Sequence, residues 1–305
     1  MSSVDLSVEI AGIKMQNPIM PASGCFGNAE EFAQLEGMNL KKLGTLVSKG
    51  TTLKPQEGSK QPRIWETPSG MINCIGLENP GVEVMISEKI PFMAQFGVPV
   101  IINVSGSKYS DYGEMAKRLD RVKGVSALEI NISCPNIDGG RIPFGCDPKI
   151  AANVVSAVRG ETNLPLIIKL TPNVTDIVSI AQAIEAVGAN VISMINTLKG
   201  VFIYKGKIIQ GGLSGPAIKP VALNLISQVA QAVKIPIIGM GGISMLQDIF
   251  DFFSVGASAV AIGTANFKDP LIMMKLINEL ESYCQTHQLG NLDALKQKIK
   301  LKGGR

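Results

Sequence analysis

Histidine is nearly absent. The only one, His287, lies in the polar C-terminal part, which excludes a histidine-based catalytic triad and a multi-histidine metal centre. Cysteine is scarce as well, with five residues at positions 25, 74, 134, 146 and 284. That number is odd, and the spacings match no zinc or iron–sulfur pattern. Free thiols fit a reducing cytosol better than a secreted disulfide scaffold, so a cytoplasmic location is expected. No run of about 18 apolar residues occurs, so no membrane span is expected. Asp5 and Glu9 stand where a signal segment would need a basic and then an apolar stretch. No block of lysine or arginine stands out and the net charge is only +4, which leaves no nucleic-acid footprint.

What the chain does have is apolar bulk. Of its 305 residues, 46% are hydrophobic and 18% charged, which describes a globular chain able to bury a large core. Short apolar runs alternate with helical stretches. Core strands are expected at Pro18–Ala22, Thr45–Ser48, Pro99–Val104, Ala127–Ile132, Leu166–Leu170, Val191–Ile195, Pro236–Met240 and Ala259–Gly263. They are rich in Val and Ile and nearly continuous in apolarity, as strands buried on both faces should be. Between Asp176 and Val187, the residues Ile177, Ile180, Ala181, Ile184 and Val187 form one helical stripe, capped by Thr175/Asp176 and stopped by Gly188. Leu225, Ile226, Val229 and Val233 form another.

Eight strands with intervening helices predict a parallel (β/α)₈ barrel. Alternation around Ala11-Gly12 within Val4–Met15 predicts a hairpin that caps the barrel bottom. Two connections are long, Gly50–Pro80 after strand two and Asn196–Gly215 after strand six. Long loops at the C-terminal ends of barrel strands are where active sites are built. No repeat, low-complexity segment or linker divides the chain, so residues 1–305 are expected to form a single domain.

Chemistry concentrates at the strand ends. The fourth strand delivers Asn131, then Ser133, Cys134, Pro135 and Asn136, followed by glycines at 139, 140 and 145 that suit a mobile loop. A thiol held between amides at a barrel mouth reads as a catalytic base beside a flat polar substrate. Strand seven ends in Gly239-Met240-Gly241-Gly242-Ile243, and strand eight in Ala261-Ile262-Gly263-Thr264-Ala265. Paired glycine turns after strands seven and eight let backbone N–H groups approach a phosphate, so a phosphate-bearing cofactor or substrate is expected there.

These segments resemble the catalytic subunit of the class 1B, NAD-linked dihydroorotate dehydrogenases over nearly the whole chain. The matching runs are Pro21-Ala22-Ser23-Gly24, Ser48-Lys49-Gly50-Thr51-Thr52, Asn73-Cys74-Ile75-Gly76-Leu77-Glu78-Asn79-Pro80-Gly81 and Asn131-Ile132-Ser133-Cys134-Pro135-Asn136. They continue with Lys169-Leu170-Thr171-Pro172-Asn173, Asn196-Thr197, Gly211-Gly212-Leu213-Ser214-Gly215-Pro216-Ala217 and the two glycine turns. The resemblance implies one FMN across the barrel mouth. Its phosphate would lie at Gly215, Gly241, Gly242, Gly263 and Thr264. Lys49 and Lys169 would face the ring, with Ser23, Gly50, Asn103, Asn131 and Ile195 completing the cofactor shell. The substrate implied is dihydroorotate, read by Lys49, Asn73, Cys74, Ile75, Gly76, Leu77, Asn131, Asn136, Asn196 and Thr197, with orotate as product. Side-chain amides donate and accept, which suits the amide edges of that ring.

Cys134 matches the family's base, which takes the C5 proton while FMN takes a hydride from C6. Cys25, Cys74, Cys146 and Cys284 carry no such pattern and are read as small structural residues. The membrane-linked class has an N-terminal extension and a serine base, and this sequence shows neither. The loop Gly139–Gly145 and the segment Thr197–Val201 look like class 1B. That class implies a partner subunit carrying FAD and a [2Fe–2S] cluster, in a heterotetramer built on a homodimer of catalytic subunits. This chain lacks the clustered cysteines and the dinucleotide fingerprint those groups need. Two alternatives stand beside this reading: a fumarate-reducing homodimer of the class 1A type, and a non-catalytic flavin-binding subunit. Retention of Cys134, Lys49 and the asparagine set weighs against the second. One departure concerns Lys199 to Gln210, which is shorter than the family pattern and bears on the lid over the site and on partner contacts.

Overall fold

The computed structural model describes residues 4–133 and 143–299. The chain enters through β1 (Val8–Ile10) and β2 (Ile13–Met15), an antiparallel pair with Val8 opposite Met15. Ala11 and Gly12 turn between them at φ of 50° and 82°, the left-handed pair that a tight two-residue hairpin turn requires. Alternation then puts Ile10, Ile13 and Met15 on one buried face.

Two further sheets follow. The larger comprises β3 (Ile19–Pro21), β4 (Leu46–Val47), β7 (Val100–Val104), β8 (Ala127–Asn131), β9 (Leu166–Lys169), β10 (Val191–Met194), β13 (Ile237–Met240) and β14 (Ala259–Ile262). The smaller comprises β5 (Ile64–Thr67), β6 (Gly70–Asn73), β11 (Leu198–Tyr204) and β12 (Lys207–Ser214). In the larger sheet the order is β3-β14-β13-β10-β9-β8-β7-β4, and every ladder is parallel. The first and last strands meet through Gly44 N–H, which donates to Ile19 O at 2.9 Å, and Ser23 Oγ, which donates to Ser48 O at 2.8 Å. The result is the expected (β/α)₈ barrel, with each strand within two residues of its anticipated ends.

Period-two alternation splits each barrel strand between two cores. Met20, Val47, Ile101, Ala127, Ile167, Val191, Ile238 and Ala259 point inward and pack on Ile10, Ile13 and Met15 of the hairpin. Their neighbours Ile19, Leu46, Ile102, Leu128, Ile168, Ile192, Ile237 and Val260 point outward into the layer shared with the helices. This two-sided burial explains why the strands read as unbroken apolar runs. Helices at Tyr109–Leu119, Pro148–Arg159, Ile177–Ala186, Lys219–Ala232, Leu246–Ser254 and Ile272–Thr286 cover the outside. The helix at Ile177–Ala186 begins where expected, because Asp176 Oδ1 accepts the N–H groups of Val178 and Ser179. Its buried stripe is Ile177, Ile180, Ala181 and Ile184, with Val187 forming the C-cap. In the stripe before strand seven, Ile226 and Val229 are buried, and Val233 ends the helix in extended conformation.

The two long connections do not remain separate loops. They join in one antiparallel sheet of order β11-β12-β6-β5. Gly212 pairs with Asn73, Leu213 with Ile72 and Ser214 with Met71. A side chain at Gly212 could not be accommodated, since its Cβ would lie 2.1 Å from Thr197 Oγ1. The short stretch after Lys199 forms a complete hairpin from Leu198↔Leu213 to Tyr204↔Lys207. It closes through Lys205 and Gly206 at φ of 49° and 74°. Trp65 stacks on Phe202 at 5.0 Å and meets Tyr204 edge-on at 5.5 Å, tying β5 to β11 across the sheet.

Candidate active site at the barrel mouth

Moving up the barrel interior, the side chains change character. Below are the apolar residues just named. One layer higher, the inward positions of β7, β8, β9 and β10 are Asn103, Glu129, Lys169 and Ser193, all buried. Glu129 accepts from Asn103 Nδ2 at 2.5 Å and from Ser193 Oγ at 2.8 Å. Lys169 Nζ lies 3.8 Å from the same carboxylate. A buried carboxylate is tolerated only with such donors around it.

Above this layer, the ends of β8 and β10 form a polar wall. Asn131 donates to Ser105 Oγ at 3.2 Å and accepts from Ser133 N–H at 3.2 Å. Tyr112 OH donates to Asn131 O at 2.7 Å, which fixes the strand end from behind. Asn196 Nδ2 donates to Ser133 Oγ at 2.9 Å, while its Oδ1 accepts from Thr197 N–H at 2.9 Å. Asn173 joins the group, donating to Thr171 Oγ1 and to Thr197 O, both at 2.9 Å. A cavity of about 220 Å³ opens here, lined by Ser133, Cys146, Thr171, Asn173, Asn196 and Thr197 among others. Asn73 reaches the same wall through the mouth sheet, donating to Gly212 O at 3.3 Å.

Asn196 and Thr197 thus line the cavity, while Asn131 stands 3.5 Å from Asn196 Nδ2 and Asn73 bonds to the lining Gly212. Cys134 and Asn136 lie outside the described residues. Ser133, Thr171 and Asn173, which the sequence shows only as parts of motifs, also line the cavity. Of the four cysteines described, Cys284 alone is buried, and Cys25, Cys74 and Cys146 are half-buried. Desolvation pushes the Cys25 thiol up to about 11 against the pull of Lys169, so it stays protonated near neutral pH. Burial likewise raises the Cys146 thiol, with Lys199 opposing.

Lys49 follows β4, anchored by its N–H to Gly27 O at 3.0 Å. Its Nζ lies 3.5 Å from Glu78, which Arg63 also binds at 2.6 Å. The hydrogen bond from Arg63, and then the charge of Lys49, hold the Glu78 carboxyl below its usual range. Cys74, Ile75, Gly76 and Leu77 connect β6 to this group. Cys74 N–H donates to Arg63 O and Ile75 O accepts from Ser59 N–H, each at 2.8 Å. Gly76 and Leu77 both have positive φ, 73° and 55°, and for a bulky Leu this is a strained conformation that the surroundings must hold. Gly50 lies against Asn103, whose Oδ1 would be 3.1 Å from a Cβ there.

On the opposite side, three strand ends converge. Gly215 after β12, Gly241 and Gly242 after β13, and Gly263 and Thr264 after β14 meet in one concavity. Gly215, Gly241 and Gly242 have φ of 88°, 127° and 81°. A Cβ at Gly242 would lie 2.8 Å from Gly215 O, so backbone approaches backbone with no room for a side chain. Thr264 Oγ1 donates to Ser214 Oγ at 2.8 Å, joining two of the turns. Ile195 closes the floor, buried and bonded from its N–H to Met240 O at 3.0 Å. Lys219, just beyond Gly215, is engaged by Asp248 at 2.5 Å and Asp251 at 2.6 Å. The concavity is thus a backbone-lined cradle of a kind that fits a phosphate, and its neighbouring cation serves to pin one turn to the next helix.

Among the described residues, no group of three or more His, Cys, Asp or Glu side chains could hold a metal ion, and no helix is long and apolar enough to cross a membrane. A family model described as dihydroorotate dehydrogenase matches residues 5–284. Relatives carrying the name dihydroorotate dehydrogenase B (NAD(+)), catalytic subunit, are similar throughout. That of Geobacillus sp. (strain WCH70) is 52% identical over 281 residues, 90% of this chain and 89% of its own. That of Anoxybacillus flavithermus is 51% identical over 281 residues, again 90% and 89%. That of Geotalea daltonii is 48% identical over 307 residues, 99% of this chain and the whole of its own. A match of this extent, on a barrel of this architecture, means that the chain belongs to the dihydroorotate dehydrogenase family.

Proposed function

We propose that the chain is the catalytic subunit of an NAD⁺-linked dihydroorotate dehydrogenase, oxidising dihydroorotate to orotate in pyrimidine biosynthesis. The observation that carries this reading is the joint placement of an amide-lined cavity and a glycine cradle at one barrel mouth. Residues 1–305 act as one FMN-binding barrel domain. Gly215, Gly241, Gly242, Gly263 and Thr264 would hold the FMN phosphate, with Ser23, Gly50, Asn103, Asn131 and Ile195 around the ring and Lys49 and Lys169 facing it. When bound, FMN accepts the hydride leaving C6 of the substrate.

The chain's own residues do the rest. Lys49 pairs with the substrate carboxylate, exchanging part of its contact with Glu78 for a full ionic hydrogen bond. Asn73, Asn131, Asn136, Asn196 and Thr197 align the amide edges of the ring, and the segment Cys74–Leu77 closes the carboxylate end. Cys134 takes the C5 proton, which the adjacent carbonyl acidifies. A thiol at its ordinary pKa of about 8.5 is mostly protonated at neutral pH, so turnover rises with pH until the thiolate is fully formed. Electrons leave through a partner subunit that holds FAD and a [2Fe–2S] cluster, docked on a homodimer of this chain in the cytoplasm.

The test is to purify the chain alone, record its flavin spectrum, and assay dihydroorotate oxidation with a dye, with fumarate and with NAD⁺. Dye reduction without use of either natural acceptor is the expected result, and NAD⁺ reduction should appear only when the electron-transfer subunit is added. Fumarate turnover by the chain alone would overturn the NAD⁺ assignment in favour of the class 1A type. A yellow protein that reduces no acceptor would favour the non-catalytic reading.

A further inference from the structure

The buried carboxylate of Glu129 has no part in the scheme above. We propose that Glu129 is a positioning residue that sets the reduction potential of the bound flavin by opposing the charge of Lys169 and orienting Asn103. This inference rests on the FMN reading of the site.

Three features support it. First, the carboxylate is surrounded, at 4% exposure, by polar partners from three other strands: Asn103 on β7, Lys169 on β9 and Ser193 on β10. A residue serving only the barrel core would be apolar, as the layer beneath it is. Second, the contacts are unequal. Asn103 and Ser193 make short hydrogen bonds to the two carboxylate oxygens, at 2.5 and 2.8 Å, whereas Lys169 stands off at 3.8 Å. That distance is beyond hydrogen-bond reach, and among the described residues the Lys169 ammonium makes no hydrogen bond. Glu129 therefore attracts the ammonium without consuming its protons. Third, a carboxylate only accepts, so Asn103 must turn Nδ2 towards it. Its Oδ1 then points at Gly50 and presents an acceptor to the mouth.

The electrostatic consequence has a definite sign. Reduction adds negative charge to a flavin. Lys169 favours that change and Glu129 opposes it, so the carboxylate holds the potential below the value Lys169 alone would set. A purely structural role would weaken binding of oxidised and reduced flavin alike and leave their ratio unmoved.

The experiment is an anaerobic redox titration of the FMN-loaded chain, followed by flavin absorbance, in wild type, Glu129→Gln, Glu129→Asp and Ser193→Ala. Glu129→Gln should raise the preference for reduced over oxidised flavin about tenfold, which is about 30 mV for a two-electron couple. Ser193→Ala keeps the charge and should stay at the wild-type potential. Glu129→Asp withdraws the charge by one methylene and should raise the preference about twofold. If Glu129→Gln does not fold, the aspartate variant decides, and a wild-type potential there overturns the proposal. So does an unchanged or lowered potential in Glu129→Gln, or an equal shift in Ser193→Ala. A wild-type chain that takes up no FMN would instead sink the functional reading beneath it, whereas FMN uptake with an unmoved potential sinks this inference alone.

Discussion

The lower and upper halves of the barrel interior are built by the same strands, two residues apart, yet they obey different rules. Ile101, Ala127, Ile167 and Val191 below are apolar and sealed by the hairpin. Asn103, Glu129, Lys169 and Ser193 above are equally buried but polar. The lower layer gains from removing apolar surface from water. The upper layer pays that desolvation cost and recovers it through specific partners. One half stabilises the barrel and the other prepares a mouth for chemistry, so substitutions in the two halves should separate stability from turnover.

The largest effect belongs to the proposed base. Cys134→Ala should lower dihydroorotate turnover by about 10²–10⁴-fold, the usual contribution of a general base, while flavin content and thermal midpoint stay at wild type. Turnover at the wild-type rate would remove Cys134 from the mechanism. Below, Ile167→Ala should cost about 2–5 kcal/mol of unfolding free energy in a denaturant titration, with KM for dihydroorotate unchanged in the protein that remains folded. A KM change there would show that the two halves are coupled. Asn196→Ala breaks a hydrogen bond to Ser133 at the cavity wall and should raise KM about tenfold with little change in stability. A large stability loss instead would mark Asn196 as a structural residue of the wall.

The smallest effect lies at the edge of the glycine cradle. Burial pushes the Asp248 carboxyl up, but hydrogen bonds from Lys219 and the N–H groups of Ser244 and Met245 outweigh it, leaving it below its ordinary value of 3.8. A depressed carboxyl contributes stability above its unfolded pKa and loses it as pH falls through the folded one. Burial lowers Lys219, but its hydrogen bonds to Asp248 and Asp251 more than reverse this, so its contribution is present below 10.5 and lost only at higher pH. The thermal midpoint should therefore fall on the acid side below about pH 4, and Asp248→Asn should flatten that flank by about 1 kcal/mol or less. An unaltered acid flank in the variant would show that the Lys219–Asp248 pair does not hold the turns.

The same contrast explains which parts were legible beforehand. A strand buried on both faces writes itself as a run of Val and Ile, so all eight barrel strands and the capping hairpin could be placed from residue order. Asp176 announced its helix because capping is local. The mouth sheet was not legible, because Asn73 meets Gly212 at a sequence separation of 139 and the glycines there resemble those of any turn. Glu129 is illegible for the opposite reason. One charge inside an apolar run reads as an interruption, and its partners Asn103, Lys169 and Ser193 are each carried by a different strand.

Local periodicity, capping residues and ordered motifs thus settled the barrel, its direction and the family resemblance, since each depends on residues close in the chain or on a fixed order along it. Which side chains share the mouth was decided by closure. Parallel register between β7, β8, β9 and β10 brings Glu129 to its three partners, and pairing of β6 with β12 brings Asn73 towards Thr197. No local rule encodes those distances. They arise because burying both faces of every strand leaves one way to align the layers, and that alignment assembles a polar ring above an apolar floor.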